Sequence, residues 1–104
     1  MSVQFDRIAI IGIGLIGSSI ARGLKQKKLA REIAIHDRSA EAMADAKALD
    51  LGHRYCVSAG EAVANADVVF VAVPIGAYAD LAPMIAPNLK KGAILTDVGS
   101  VKQA

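Results

Sequence analysis

Glycines at positions 12, 14 and 17, reached directly from an apolar run, constrain this chain more than any other feature. Residues 7–17 read RIAIIGIGLIG, so Ile8, Ala9, Ile10 and Ile11 supply a strand suited to burial and G-x-G-x-x-G follows where it would turn into a helix. Each glycine answers a different steric demand. Gly12 permits the tight turn, Gly14 leaves bare backbone open to close approach, and Gly17 lets the helix pack against the strand. A helix starting near Leu15 would aim its unpaired N–H groups, equivalent to about half a positive charge, at whatever lies over the loop.

Glycine-rich turns are common, and the decisive addition is Asp37. It stands twenty residues after Gly17, at the end of the apolar run Ile33-Ala34-Ile35. A carboxylate at the tip of a second strand can accept hydrogen bonds from both hydroxyls of an adenosine ribose, and it repels a 2′-phosphate. Strand, glycines, helix and acid together read as a dinucleotide-binding unit. The expected cofactor-binding residues are Gly12, Ile13, Gly14, Leu15, Ile16 and Gly17 in the first loop, and Asp37, Arg38 and Ser39 in the second. Val73 and Pro74 join them after a later strand. Asp37 argues for NAD; Arg38 leaves NADP open, because a neighbouring guanidinium can stack on adenine or accept the extra phosphate.

At 104 residues the chain is one domain at most, and small for a complete dehydrogenase. Hydrophobic residues make up 54% and aromatic ones 4%, which suits a parallel sheet covered by small-residue helices. A net charge of +2 is too small to imply a nucleic-acid partner. Lys25, Lys27, Lys28 and Arg31 cluster at an expected helix C-terminus, where cations suit the dipole. Cys56 is the single cysteine, so no internal disulfide can form, which fits a reducing compartment. Arg7 and the apolar residues after it superficially resemble a secretory signal, but Asp6 weakens the basic region and the glycines have a better explanation. No apolar stretch reaches membrane-spanning length, Pro74 interrupting the other candidate at residues 68–79, and a cytoplasmic location is expected.

The chain alternates strands and helices. Strands are predicted at residues 7–11, 32–36, 54–57, 68–73 and 93–97, and helices at 15–27, 40–50, 60–65 and 76–86. In the first helix Ile16, Ile20 and Leu24 form an apolar line. Ser39 is a good N-cap for the second, which would bury Met43, Ala46 and Leu49 and end at Gly52. Ser58 and Glu61 have capping-box spacing. Residues 68–73, VVFVAV, form an unbroken apolar run, the signature of a parallel strand buried on both faces. Pro83 is expected to open a second short turn rather than to sit in mid-helix. Right-handed crossovers then demand a Rossmann-type α/β fold, a doubly wound parallel sheet of order 3-2-1-4-5 forming a single incomplete domain over residues 1–104. The glycine loop, Asp37 and the loops at 73–76 and 97–100 all emerge at one sheet edge.

Three segments carry a more specific resemblance: GIGLIGSS at 12–19, ADVVFVAVP at 66–74 and especially TDVGSVK at 96–102. They resemble the nucleotide-binding half of prephenate dehydrogenases, including the cyclohexadienyl and arogenate forms, over nearly the whole chain. The resemblance implies NAD-dependent oxidative decarboxylation in tyrosine biosynthesis, with prephenate or arogenate as the small-molecule substrate and a homodimer in the full-length protein. It also implies that Ser100 sits near the nicotinamide and helps bind the substrate hydroxyl; on spacing alone the lesser alternative for Ser100 is a simple N-cap after strand five. Lys102 reads as a solvated surface lysine. The family's catalytic histidine, its substrate-binding arginine and a helical dimerisation domain belong beyond Ala104, so the chain is expected to be a truncated piece that binds cofactor without turning over substrate. His36, preceding Asp37 on a strand, should point to the opposite face, and His53 follows Gly52 as a loop residue; neither replaces the missing histidine. Loss of the downstream half would leave apolar surface on strand five, hence weak self-association. Two other readings share the same residues: another NAD(P)-dependent β-hydroxyacid or imine reductase, and a non-catalytic NAD(H)-sensing module.

Overall fold

A computed structural model describes residues 5–73 and 75–97, so the assignments at Pro74, Ser100 and Lys102 lie outside the described residues. The elements in chain order are β1 (Phe5–Ile11), α1 (Leu15–Lys27), β2 (Ala30–His36), α2 (Ala40–Ala48), β3 (Arg54–Tyr55), α3 (Ala59–Val63), β4 (Val68–Val71), α4 (Ile75–Ile85), a 3₁₀ turn (Ala86–Asn88) and β5 (Ile94–Asp97). All neighbouring strands pair in parallel, in the order β3-β2-β1-β4-β5 expected from the sequence. Among the described residues no helix is long and apolar enough to cross a membrane.

The unbroken apolar runs are explained by burial on both faces of the sheet. Successive strand side chains point to opposite faces. Ile8 and Ile10 of β1, Ile33 and Ile35 of β2 and Val68 of β4 therefore pack with Ala21 and Leu24 of α1 and Ala46 of α2. Their alternates Ala9, Ile11, Ala34, Val69 and Val71 pack with Ala59, Ala62 and Val63 of α3 and Ile85 of α4. Ile8, Ile10, Ile11, Ile33 and Ile35 are almost wholly shielded from water, each stabilising the fold by about 1.5–3 kcal/mol. Ala21 at zero exposure lets α1 sit close to the sheet.

At the edge where β1, β4 and β5 begin, Asp67 ties three segments together. Its carboxylate accepts the N–H of Asp6 at 2.8 Å and of Arg7 at 3.3 Å, and it pairs with Lys90. Its own N–H donates to the Arg7 carbonyl and its carbonyl accepts from Ile94. Nearby, Glu32 bridges Arg7 and Arg54 at 3.4 and 3.6 Å.

Four local expectations are corrected. Helix α2 stops at Ala48, with Leu49 as C-cap, and Asp50 rather than Gly52 takes the left-handed turn at φ 55°. That turn swings Leu49 out to 59% exposure and carries Leu51 into the core instead. Gly52 has another reason to be glycine: a Cβ there would lie 2.6 Å from Ile35 Cδ1. Pro83 is inside α4, and it is Pro87 that opens the short 3₁₀ turn. The carbonyl that Pro83 leaves without a donor belongs to Ala79, which is exposed, so water can serve it. Strand β3 ends at Tyr55, leaving Val57 90% exposed.

Candidate functional site

Strands β1, β2 and β4 end together, and the backbone ladder runs on past them: Gly12 N–H donates to His36 carbonyl and Ala72 N–H to Ile11 carbonyl, both at 2.8 Å. This registers the glycine loop against the ends of both flanking strands. Gly12 adopts φ 92°, a left-handed value that side chains disfavour, and a Cβ there would lie 2.7 Å from Ala72 oxygen and 2.8 Å from Val73 Cγ1. A Cβ on Gly17 would come within 2.1 Å of the Gly12 carbonyl oxygen, so the first turn of α1 rests directly on the loop. Gly14 is the opposite case. It is exposed, with nothing within 4 Å of a Cβ position, and as N-cap it brings no side chain to the opening turn of α1. Free amide groups at a helix start, facing open ground, suit an anion.

Asp37 is held rather than merely adjacent. Its Oδ2 accepts the Ile13 N–H and its Oδ1 the Ser39 N–H, each at 2.8 Å, so one carboxylate joins the glycine loop to the turn after β2. Each oxygen keeps a further lone pair for a ligand hydroxyl. Ser39 caps α2 as expected, accepting from Ala42 N–H at 3.1 Å, and Met43 sulfur receives the Asp37 N–H.

A cavity of about 390 Å³ opens over this edge. Gly12, Gly14, Asp37, Arg38 and Val73 line it, which brings five of the sequence-predicted residues to one crevice. The others contribute differently. Ile13 supplies its amide while its side chain is buried in the core; Gly17 packs the helix; Leu15 and Ile16 lie in the first turn of α1; and Ser39 fixes α2. Sequence reasoning missed the rest of the lining: His36 beside Asp37, and Ala59, Asp80, Leu81 and Met84 from α3 and α4. The residues of α3 and α4 were legible as helix but carried no motif to place them here.

Both histidines have defined backbone partners. His53 Nδ1 accepts the Ile33 N–H at 3.0 Å, a structural role. His36 is half-buried with Nδ1 3.0 Å from the Cys56 carbonyl, yet it also borders the crevice beside Asp37, so it is not confined to the opposite face. Cys56 is a poor nucleophile: burial, reinforced by Glu61, pushes its thiol up against the opposing pull of Arg7.

The fold and this edge define a nucleotide-binding domain of the Rossmann type. The chain belongs to the family described as NADP oxidoreductase, coenzyme F420-dependent, whose model matches residues 7–100. The resemblance to prephenate dehydrogenases is borne out by its relatives. The chain is 43% identical over 98 residues to the cyclohexadienyl dehydrogenase of Zymomonas mobilis, covering 94% of this chain and 33% of that protein. It is 39% identical to the prephenate dehydrogenase of Lactococcus lactis over 92% of this chain and 27% of the relative. The chain thus spans a third or less of the length of these curated relatives. The Aquifex aeolicus prephenate dehydrogenase, solved with hydroxyphenyl propionate and NAD+, shares the fold at a TM-score of 0.81 and 22% identity, covering 93% of this chain and 34% of that one.

Proposed function

We propose that this chain binds NAD across the crevice at the ends of β1, β2 and β4 and serves as the cofactor half of a cytoplasmic dehydrogenase that oxidatively decarboxylates prephenate or arogenate. The observation that carries the reading is the pairing, in one crevice, of open ground before Gly14 with the pinned carboxylate of Asp37. The amide groups at the start of α1 would hold the diphosphate, and Asp37 would accept the adenosine ribose hydroxyls. Bound NAD would supply the hydride acceptor, and the loss of carbon dioxide would make the substrate ring aromatic. Val73 and Pro74 would border the nicotinamide side. Ser100, in the TDVGSVK segment, would meet the substrate hydroxyl. The similarity to cyclohexadienyl and prephenate dehydrogenases supports this choice of reaction.

Preference for NAD over NADP follows from Asp37. Because two backbone amides fix its carboxylate, it cannot swing away from a 2′-phosphate. Asp37→Ala should weaken NAD binding by about tenfold or more, as expected for losing hydrogen bonds to a charged acceptor, and weaken NADP binding less. Equal losses in titration calorimetry would contradict the assignment. The reaction itself is tested by NADH absorbance in the full-length protein. Turnover with prephenate or arogenate is expected, and none with either would remove this substrate class.

A further inference from the structure

We infer that His36 reads the base of the bound dinucleotide, accepting a hydrogen bond from the 6-amino group of adenine. This rests on the dinucleotide reading above and adds a specificity residue to it.

Three observations lead there. First, a carbonyl oxygen only accepts, so the contact of His36 Nδ1 with the Cys56 carbonyl at 3.0 Å places the proton on Nδ1. The neutral ring then has Nε2 as a lone-pair acceptor, and no partner for Nε2 is recorded among the described residues. Second, His36 borders the crevice immediately beside Asp37. With the ribose on Asp37, the base attached to it lies within one sugar's width of that carboxylate. Third, Ala59, Leu81 and Met84 line the same crevice, apolar surface suited to the faces of a flat heterocycle. Met84 is 56% exposed, which a stacked base would partly cover.

Adenine's ring nitrogens N1, N3 and N7 are all acceptors, and its only hydrogen-bond donor apart from the sugar is the 6-amino group. An unpaired acceptor beside the base therefore selects that group. The Cys56 contact gives the imidazole a fixed orientation, so little side-chain freedom is lost on binding. Asp80 is the rival acceptor on the crevice wall; it is exposed on α4, where water competes for it.

The test compares NAD with its analogue carrying purine for adenine, which lacks only the 6-amino group, by titration calorimetry on the purified protein. The wild type should bind NAD about tenfold more tightly than the analogue, the usual effect of one hydrogen bond to an otherwise unpaired acceptor. His36→Asn puts an amide N–H where Nδ1 sits, keeping the Cys56 contact but removing the distal acceptor. It should bind the two ligands within about twofold, its whole loss falling on NAD. His36→Gln, which reaches the Nε2 position, should restore part of the preference. If NAD binds but wild type shows no preference, or His36→Asn keeps it, the inference is overturned while cofactor binding stands. Loss of the preference in Asp80→Ala alone would transfer the role to Asp80 and likewise overturn it. Failure of NAD to bind at all would overturn both readings.

Discussion

Gly17 and Gly23 occupy the same helix under opposite constraints. A side chain at Gly17 would collide with the Gly12 carbonyl oxygen at 2.1 Å, backbone that cannot move without opening the loop, whereas nothing lies within 4 Å of a Cβ on Gly23. Gly17→Ala should cost about 3 kcal/mol or more of stability, at or above the upper range for overpacking. Gly23→Ala should instead gain about 0.5–1 kcal/mol by removing a flexible residue from a helix interior. Urea denaturation measures both, and equal midpoints for the two variants would contradict the packing described. The glycine loop was legible in the sequence because the demands on it are local, set by a strand meeting a helix across a few residues. Gly52 was misread because what requires it, Ile35 Cδ1, comes from a neighbouring strand. His36 was set aside for a similar reason: strand alternation describes a flat sheet and does not show that a crevice can be bordered from both faces where the sheet ends.

At the scale of elements, Asp67 is the fastening of the sheet edge opposite the crevice. The Lys90 ammonium, and after it the Asp6 N–H, hold its carboxyl below the usual carboxylate range. A carboxyl whose pKa is lowered by folding stabilises the native state above its unfolded pKa. That contribution drains away as pH falls through the folded value. Asp67→Asn should therefore lower the urea midpoint at neutral pH, and the gap from wild type should close in strongly acid buffer. A gap that is the same at both would mean that the ionised form of Asp67 does not fasten this edge. The strands were legible because burial on both faces writes unbroken apolar runs. The end of α2 was not. Leu49 matched helical spacing, but a left-handed Asp50, whose carboxylate meets Lys25 Nζ at 2.9 Å, ended α2 early and sent Leu51 inward. Pro83 could stay within α4 because the carbonyl it orphans belongs to Ala79, an exposed residue, a property of the assembled surface and not of the local sequence.

For the molecule as a whole, parallel topology delivers the glycine loop, Asp37 and Val73 to one edge and leaves Asp67 and Lys90 at the other. A ligand that binds only the folded chain across the first edge must stabilise all of it. NAD at one hundred times its dissociation constant should raise unfolding free energy by about 2.7 kcal/mol, seen as a higher thermal midpoint than that of the ligand-free protein. No change at saturation would mean that NAD does not favour the native state. The most direct measurement is a ¹⁵N nuclear magnetic resonance titration with NAD. The account predicts that amide signals of Gly12, Ile13, Gly14, Gly17, Asp37 and Ser39 shift in saturable fashion while those of Asp67 and Lys90 stay in place. Unshifted glycine-loop amides, or shifts confined to the Asp67 edge, would contradict it.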